Sequence, residues 1–341
     1  MMVIRLSAVL FAALATLAAA NFGSTDATAG GVEVKCELLP VPSAIAIFSR
    51  YRSARICAPV VIDDDEHGNK LPLHLFAHAD LGGSVMALAY NRILEQIAAR
   101  GFVVAAYLGC AIDSFCNNGE ASFLEMFKTV AALKNSSEWS SRIDWKSLYS
   151  MSGHSTGARS VLQVAALRDS PQYMSASPLA KYLTPAVRAE IAHVGAVVSN
   201  HPDDMLDASL NPDCNDFAIS KTPMLIITGS NDRIEPTGSA WGDFEKISSP
   251  DRVYVDVRGA DHSEPIESHR LGNFTALFSR LFALDDESAA QFIFGSGVGS
   301  IRSSIPIAAS GERNVGVNGT SGFVACSTSK AYPNTPPSFR C

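Results

Sequence analysis

The chain is short of positive charge, of cysteines at metal-binding spacing, of internal repetition and, beyond its first twenty residues, of long apolar runs. Each shortage excludes something. Lys and Arg number 27 against 34 Asp and Glu, a formal charge of -7. With no basic excess to meet a phosphate backbone, nucleic acid is not an expected partner. None of the seven cysteines stands in a Cys-x-x-Cys pair, which removes the usual zinc signature. No later stretch approaches the roughly 20 apolar residues that cross a bilayer, so stable membrane insertion is not expected. Without a repeat, 341 residues suit one large α/β domain or two small ones, with ample chain to bury a core.

What is present begins with an export signal. Arg5 supplies a positive end, Val9 to Ala20 is a short apolar run, and Ala18-Ala19-Ala20 offers a small-residue cleavage site. Residues 1–20 read as a secretory signal peptide and 21–32 as a small, polar leader. Delivery to the extracellular space or a secretory lumen agrees with the cysteine content. Cys110 with Cys116, and Cys326 with Cys341, enclose short loops and are candidate disulfides. Cys36 with Cys57 is a further candidate, and the odd count leaves a thiol such as Cys214 over. Three N-glycosylation sequons, at Asn135, Asn273 and Asn318, fit a eukaryotic secretory route.

Between residues 33 and 294 strand-like and helix-like runs alternate. Leu71 to Ala77, Phe102 to Leu108, Ser147 to Ser152, Val194 to Ser199, Pro223 to Thr228 and Arg252 to Val257 read as strands. Val85 to Arg100 carries Met86, Leu88, Ala89, Ile93 and Ile97 at helical spacing and stops at Gly101. Ala121 to Leu133, Thr156 to Leu167, Trp241 to Ile247 and Arg270 to Leu284 are further helices. Such alternation predicts an α/β domain with a mostly parallel sheet and helices on both faces. Residues 169–190, rich in Pro, Ser and Tyr, read as a cap-like insertion, and 295–341 as an irregular Ser- and Gly-rich tail.

One motif carries chemistry. An apolar strand, then Gly153-His154-Ser155-Thr156-Gly157, then a helix, has the form of a nucleophile elbow. The turn is so tight that residues two either side of the serine must be small. It lifts the Ser155 oxygen above a helix N-terminus, where the Thr156 N–H can meet an oxyanion. A serine nucleophile needs a base, and the base an orienting acid. Asp232 follows the strand ending at Thr228, and His262 follows the strand ending at Val257, in the chain order Ser, acid, His. Asp203, Asp204 and Asp213 are rival acids, Asp261 reads as a loop residue, and His269 falls in the last helix. His67, His74, His193 and His201 receive no role. A second oxyanion donor is expected from the loop after the first long strand, at the Asp80 N–H, with Leu81 as runner-up. No metal or organic cofactor is needed.

These residues resemble a known group. His78-Ala79-Asp80, the helix end Ala98-Ala99-Arg100-Gly101-Phe102-Val103-Val104, Gly-His-Ser-x-Gly, Asn231-Asp232 and Asp261-His262 are similar to the chlorophyllase and cutinase-like polyester hydrolases. Platelet-activating-factor acetylhydrolases and dienelactone-hydrolase-like enzymes look alike. The resemblance covers roughly residues 55–285 and implies the α/β-hydrolase fold and a cofactor-free esterase working through an acyl-enzyme. It implies Ser155 as nucleophile, Asp232 as acid, His262 as base, and the Thr156 and Asp80 N–H groups as oxyanion hole. The group usually has glycine where Ala79 and Ala158 stand. The expected substrate is a small-molecule, lipid or polymer ester. Amide cleavage or acyl transfer by the same triad, or a non-catalytic binding protein on such a scaffold, are the alternatives.

Overall fold

The computed structural model describes residues 32–42, 51–60, 70–79, 89–108, 122–170, 183–203, 219–267, 269–295, 298, 300–301 and 324–327. The signal peptide, nearly all of the leader, and Cys110, Cys116, Cys214 and Cys341 lie outside them.

Among the described residues nine strands form one sheet in the order β1-β2-β4-β3-β5-β6-β7-β8-β9. They are β1 (Val34–Pro42), β2 (Tyr51–Pro59), β3 (Leu73–Ala77), β4 (Val103–Leu108), β5 (Tyr149–His154), β6 (Val194–Asn200), β7 (Met224–Gly229), β8 (Arg252–Val257) and β9 (Val324–Ser327). From β4 across to β8 every pairing is parallel, whereas β1, β2 and β9 pair antiparallel at the two edges. This is an α/β architecture with a mostly parallel sheet.

Parallel strands need crossovers, and the crossovers cover both faces. That is why the central strands have no solvent-facing side: β3, β5, β6 and β7 are buried along their whole lengths. Their residues still divide by strand period. Leu73, Leu75, Val103, Ala105, Val197, Ile226 and Tyr254 face one core. Phe76, Val104, Ala106, Val198, Ile227 and Val255 face the other. The first core is closed by α2 (Ser122–Asn135), α4 (Thr156–Asp169), α5 (Pro185–Ala192) and α6 (Thr237–Lys246), with α3 (Ser137–Arg142) following α2. The second is closed by α1 (Asn91–Ala98), α8 (His269–Ala283) and α9 (Ala290–Ile293), with α7 (Glu264–Glu267) leading into α8. Among the described residues no helix is long and apolar enough to cross a membrane.

β1, β2, α5 and β9 differ from the sequence reading. β1 and β2 were not foreseen because Pro40, Pro42 and four charged residues interrupt the apolar pattern; β1, which carries both prolines, is the edge strand, where proline is tolerated. α5 takes up the end of the predicted cap-like insertion and runs two residues past it. It starts in the favoured way, with Pro185 in its first turn and the Thr184 hydroxyl accepting from the Val187 N–H at 3.3 Å. Finally, part of the predicted irregular tail is β9, whose four residues pair with Arg252 to Val255 of β8. A strand this short leaves no periodicity to read.

Among the seven cysteines, Cys36 and Cys57 form a disulfide, and they are directly opposed in the β1–β2 register. Of the three sequons, Asn135 is exposed at the end of α2, while the Asn273 sequon lies within α8 with Thr275 fully buried, closed to glycosylation once folded.

The disulfide closes a loop of sequence separation 21, so loop entropy predicts that Cys36→Ala/Cys57→Ala lowers stability by about 3 kcal/mol. Urea unfolding of the double variant beside the oxidised wild type measures this.

Candidate active site

The chain passes from β3 through α1 to β4 on one side of β3, then returns to form β5 on the other side. The sheet order therefore reverses between β3 and β5. In an open parallel sheet such a reversal leaves a crevice beyond the carboxyl ends of the strands. The Gly153–Gly157 turn closes the end of β5 at that crevice.

Only Ser155 separates β5 from α4, and it reverses the chain at φ 57° and ψ −123°. An L residue holds that conformation only when its surroundings compel it. Here they do. A Cβ on Gly153 would collide with the main chain of Gly157, and a Cβ on Gly157 with the carbonyls of Ala77 and His78. Both positions must be glycine for α4 to sit against the end of β3. The end of β6 clamps the same turn: the Ser155 N–H donates to the Asn200 carbonyl at 3.0 Å, and the Ser155 carbonyl accepts from the Asp203 N–H at 3.2 Å. The Asn200 amide donates to the Gly153 carbonyl at 3.1 Å.

Asp232 and His262 are brought together on the loops after β7 and β8. Asp232 Oδ2 accepts from His262 Nδ1 at 2.8 Å, and Asp232 Oδ1 accepts from the Ile234 and Glu235 N–H groups at 2.9 Å each. With both oxygens engaged, the carboxylate cannot swing. Its proton affinity is raised by burial, but the His262 hydrogen bond, the nearby His262 and His201 rings and the Glu235 N–H outweigh this, leaving it below its ordinary value. The bond assigns the His262 proton to Nδ1 and leaves Nε2 as the basic nitrogen. The two loops are stitched together by Ser230 N–H to Val257 O at 3.0 Å and Asn231 N–H to Ala260 O at 2.9 Å. A Cβ on Gly229 would strike the Ala260 carbonyl, so a third glycine permits this approach.

Ser155, Asp232 and His262 are all nearly buried, at 8%, 7% and 5% exposure. The ring of His154, next to Ser155, lies 4.8 Å from the His262 ring. Among the described residues no hydrogen bond joins the Ser155 hydroxyl to the His262 ring. Thr156 begins α4, where helical N–H groups lack intrahelical acceptors. Asp80 and Leu81 lie outside the described residues, as do Asp204, Asp213 and His67. The Ala79 N–H just before Asp80 is committed to Tyr90 Oη at 3.2 Å.

The rivals take other parts. Asp261 accepts from the Ser263 N–H and hydroxyl at 2.9 and 2.6 Å, capping its own turn. Asp203 supports the Ser155 turn through its main chain, and its carbonyl also accepts from the Arg159 guanidinium at 3.3 Å. His193 donates to the Ser147 carbonyl at 2.8 Å. His201, which carried no sequence signal, lies at the site. Its ring is 6.1 Å from those of both His154 and His262, and its backbone φ is 50°. Among the described residues neither of its ring nitrogens has a partner, an arrangement that costs of order 1–3 kcal/mol when buried. Among the described residues no group of three His, Cys, Asp or Glu side chains could hold a metal ion. No protein-family model matches this chain, and neither does any curated protein sequence.

Two predictions follow from these contacts. Gly157→Ala pushes a methyl into the carbonyls of Ala77 and His78. It should cost at least the roughly 3 kcal/mol at the upper end of ordinary overpacking, read as a fall in the denaturation midpoint.

The second concerns pH. Burial holds His74, set between the Ser150 and Ser152 hydroxyls, down to about 3 and His201 to about 4. Burial, with His262 and His201 alongside, holds His154 well below the ordinary value. Below about pH 6.5 the unfolded chain protonates all three while the folded chain does not, so their stabilisation is lost as pH falls. Asp256 acts oppositely, because burial raises it to about 7 against the Thr228 hydrogen bond. Its contribution is present below pH 4 and lost on the way up. The three depressed histidines outnumber Asp256 and Glu95, the acids that burial raises, so stability should fall as pH drops from 6 to 5. Unfolding free energies measured at pH 6 and pH 5 test this, and His74→Gln should flatten the slope by about one proton.

Proposed function

We propose that this chain is an exported serine hydrolase of the α/β-hydrolase fold that cleaves carboxylic esters through Ser155, His262 and Asp232. The observation that carries the reading is the Ser155 backbone, forced to φ 57° between β5 and α4 at the sheet crevice. Strained geometry of this kind concentrates at functional sites, and the strand–turn–helix context is that of a nucleophile elbow. The His262–Asp232 hydrogen bond on neighbouring loops supports it, as does the chain order Ser, Asp, His. Export is supported by the N-terminal signal pattern and by the Cys36–Cys57 disulfide.

In this mechanism Ser155 Oγ attacks the ester carbonyl carbon while His262 Nε2 takes the hydroxyl proton. Asp232 holds the ring in the Nδ1–H tautomer and stabilises the imidazolium. The tetrahedral oxyanion is met by the Thr156 N–H at the start of α4 and the Asp80 N–H. The imidazolium returns its proton to the departing alkoxide, giving an alcohol and an acyl-Ser155. Water, deprotonated by His262, then releases the acid and regenerates the serine. Ile234, whose N–H donates to Asp232 Oδ1, is 43% exposed; the substrate in this reading is an ester with a hydrophobic acyl or alcohol part.

Turnover of a graded series of p-nitrophenyl esters should fall by about 10⁴-fold or more in Ser155→Ala, with far-UV circular dichroism unchanged. Equal turnover by the variant would overturn the assignment.

A further inference from the structure

The residue between Gly153 and Ser155 is a member of a hydrogen-bonded chain that no single segment of sequence contains. Tyr90 Oη lies 2.7 Å from His154 Nδ1, and His154 Nε2 lies 2.8 Å from the His262 carbonyl oxygen. The Ala79 N–H donates to Tyr90 Oη at 3.2 Å. Tyr90 and His154 are 3% and 1% exposed, so water does not compete for these groups.

The proton positions follow from the partners. A carbonyl oxygen only accepts, so His154 Nε2 must carry hydrogen. The buried ring is neutral, which leaves Nδ1 as an acceptor, and Tyr90 must donate to it. Tyr90 oxygen then receives the Ala79 N–H. The chain runs one way: Ala79 N–H to Tyr90 O, Tyr90 O–H to His154 Nδ1, His154 Nε2–H to His262 O. Every donor and acceptor in it is matched once. It joins the loop after β3, the residue preceding α1, the Ser155 turn and the loop carrying the base.

We propose that Tyr90 and His154 are positioning residues, whose hydrogen-bonded relay sets the loop after β3 and the His262 loop in one register about Ser155. The proposal rests on the esterase reading, in which the first loop leads to an oxyanion donor and the second carries the base. Neither residue touches substrate. A misplacement of either loop weakens transition-state contacts more than ground-state binding, so the relay acts on kcat and leaves KM nearly unchanged. Neither side chain is replaceable by a residue of similar shape alone. Phe at position 90 keeps the ring packing against Phe76 but strands the Ala79 N–H and His154 Nδ1. Gln at position 154 keeps a donor for the His262 carbonyl and loses the link to Tyr90.

The experiment compares Tyr90→Phe, His154→Gln and the double variant by ester kinetics and by ¹⁵N spectra of histidine-labelled protein. Each single variant should lower kcat roughly tenfold, one hydrogen bond's worth, with KM within about twofold. Because both break the same Tyr90–His154 bond, the double variant should cost no more than the worse single variant. In the spectra, His154 should show a neutral Nε2–H ring, and Tyr90→Phe should shift the His262 ring signals 108 residues along the chain from His154. A wild-type kcat in Tyr90→Phe, strictly multiplicative losses, or unmoved His262 signals would each overturn the relay. Wild-type protein that turns over no ester would overturn the esterase reading instead, and the His262 signals would still judge the relay.

Discussion

The approach of α4 to the end of β3, glycine against carbonyl at Gly157, Ala77 and His78, is the contact on which the rest of the site depends. It brings a helix N-terminus to the point where the sheet reverses its order, and it leaves a single residue to connect β5 to α4. Ser155 must then adopt a positive φ. The strain is held in place by parallel-sheet packing on both faces and by main-chain bonds from the end of β6. A turn of this shape on a looser scaffold would relax.

Around that turn, main-chain contacts are carried by glycine and polar side chains are carried by burial. Gly229 admits the Ala260 carbonyl, as Gly157 admits those of Ala77 and His78. Four side chains, Tyr90, His154, His201 and His262, then converge, and Asp232 supplies the carboxylate bonded to His262. Burial disfavours the charged histidine, so His154 and His201 stay neutral and two uncharged rings lie beside His262. The same desolvation that keeps the network in one tautomer makes the fold sensitive to acid, so the order of the site and the pH range of stability have one cause.

The edges follow a different logic. β1 and β2 carry charges and prolines and are joined by a covalent cross-link, β1 at the edge and β2 inside it with Ala54, Ile56 and Cys57 fully buried. β9 covers β8 from the far end of the chain. These elements were hardest to read because edge strands need neither alternation nor continuity. The central elements were legible because strands buried on both faces read as near-continuous apolar runs, as in β4 (Val103–Leu108) and the first five residues of β6.

Local order in the chain determined the Ser155 turn, since glycines two residues either side of a serine between a strand and a helix permit one close-packed geometry. It also determined which loops hold Asp232 and His262, because each directly follows a buried strand, and strand ends of a parallel sheet share an edge. Which aspartate pairs with the histidine was decided only in the folded molecule: Asp203 and Asp261 stand equally near strand ends, but one carbonyl faces Arg159 and one carboxylate its own Ser263. The same holds for Tyr90, His154 and His201. Their roles depend on contacts between residues 47 to 108 positions apart and on burial that no sequence spacing records. A hydrogen bond between distant loops exists only once the sheet has set the distance between them.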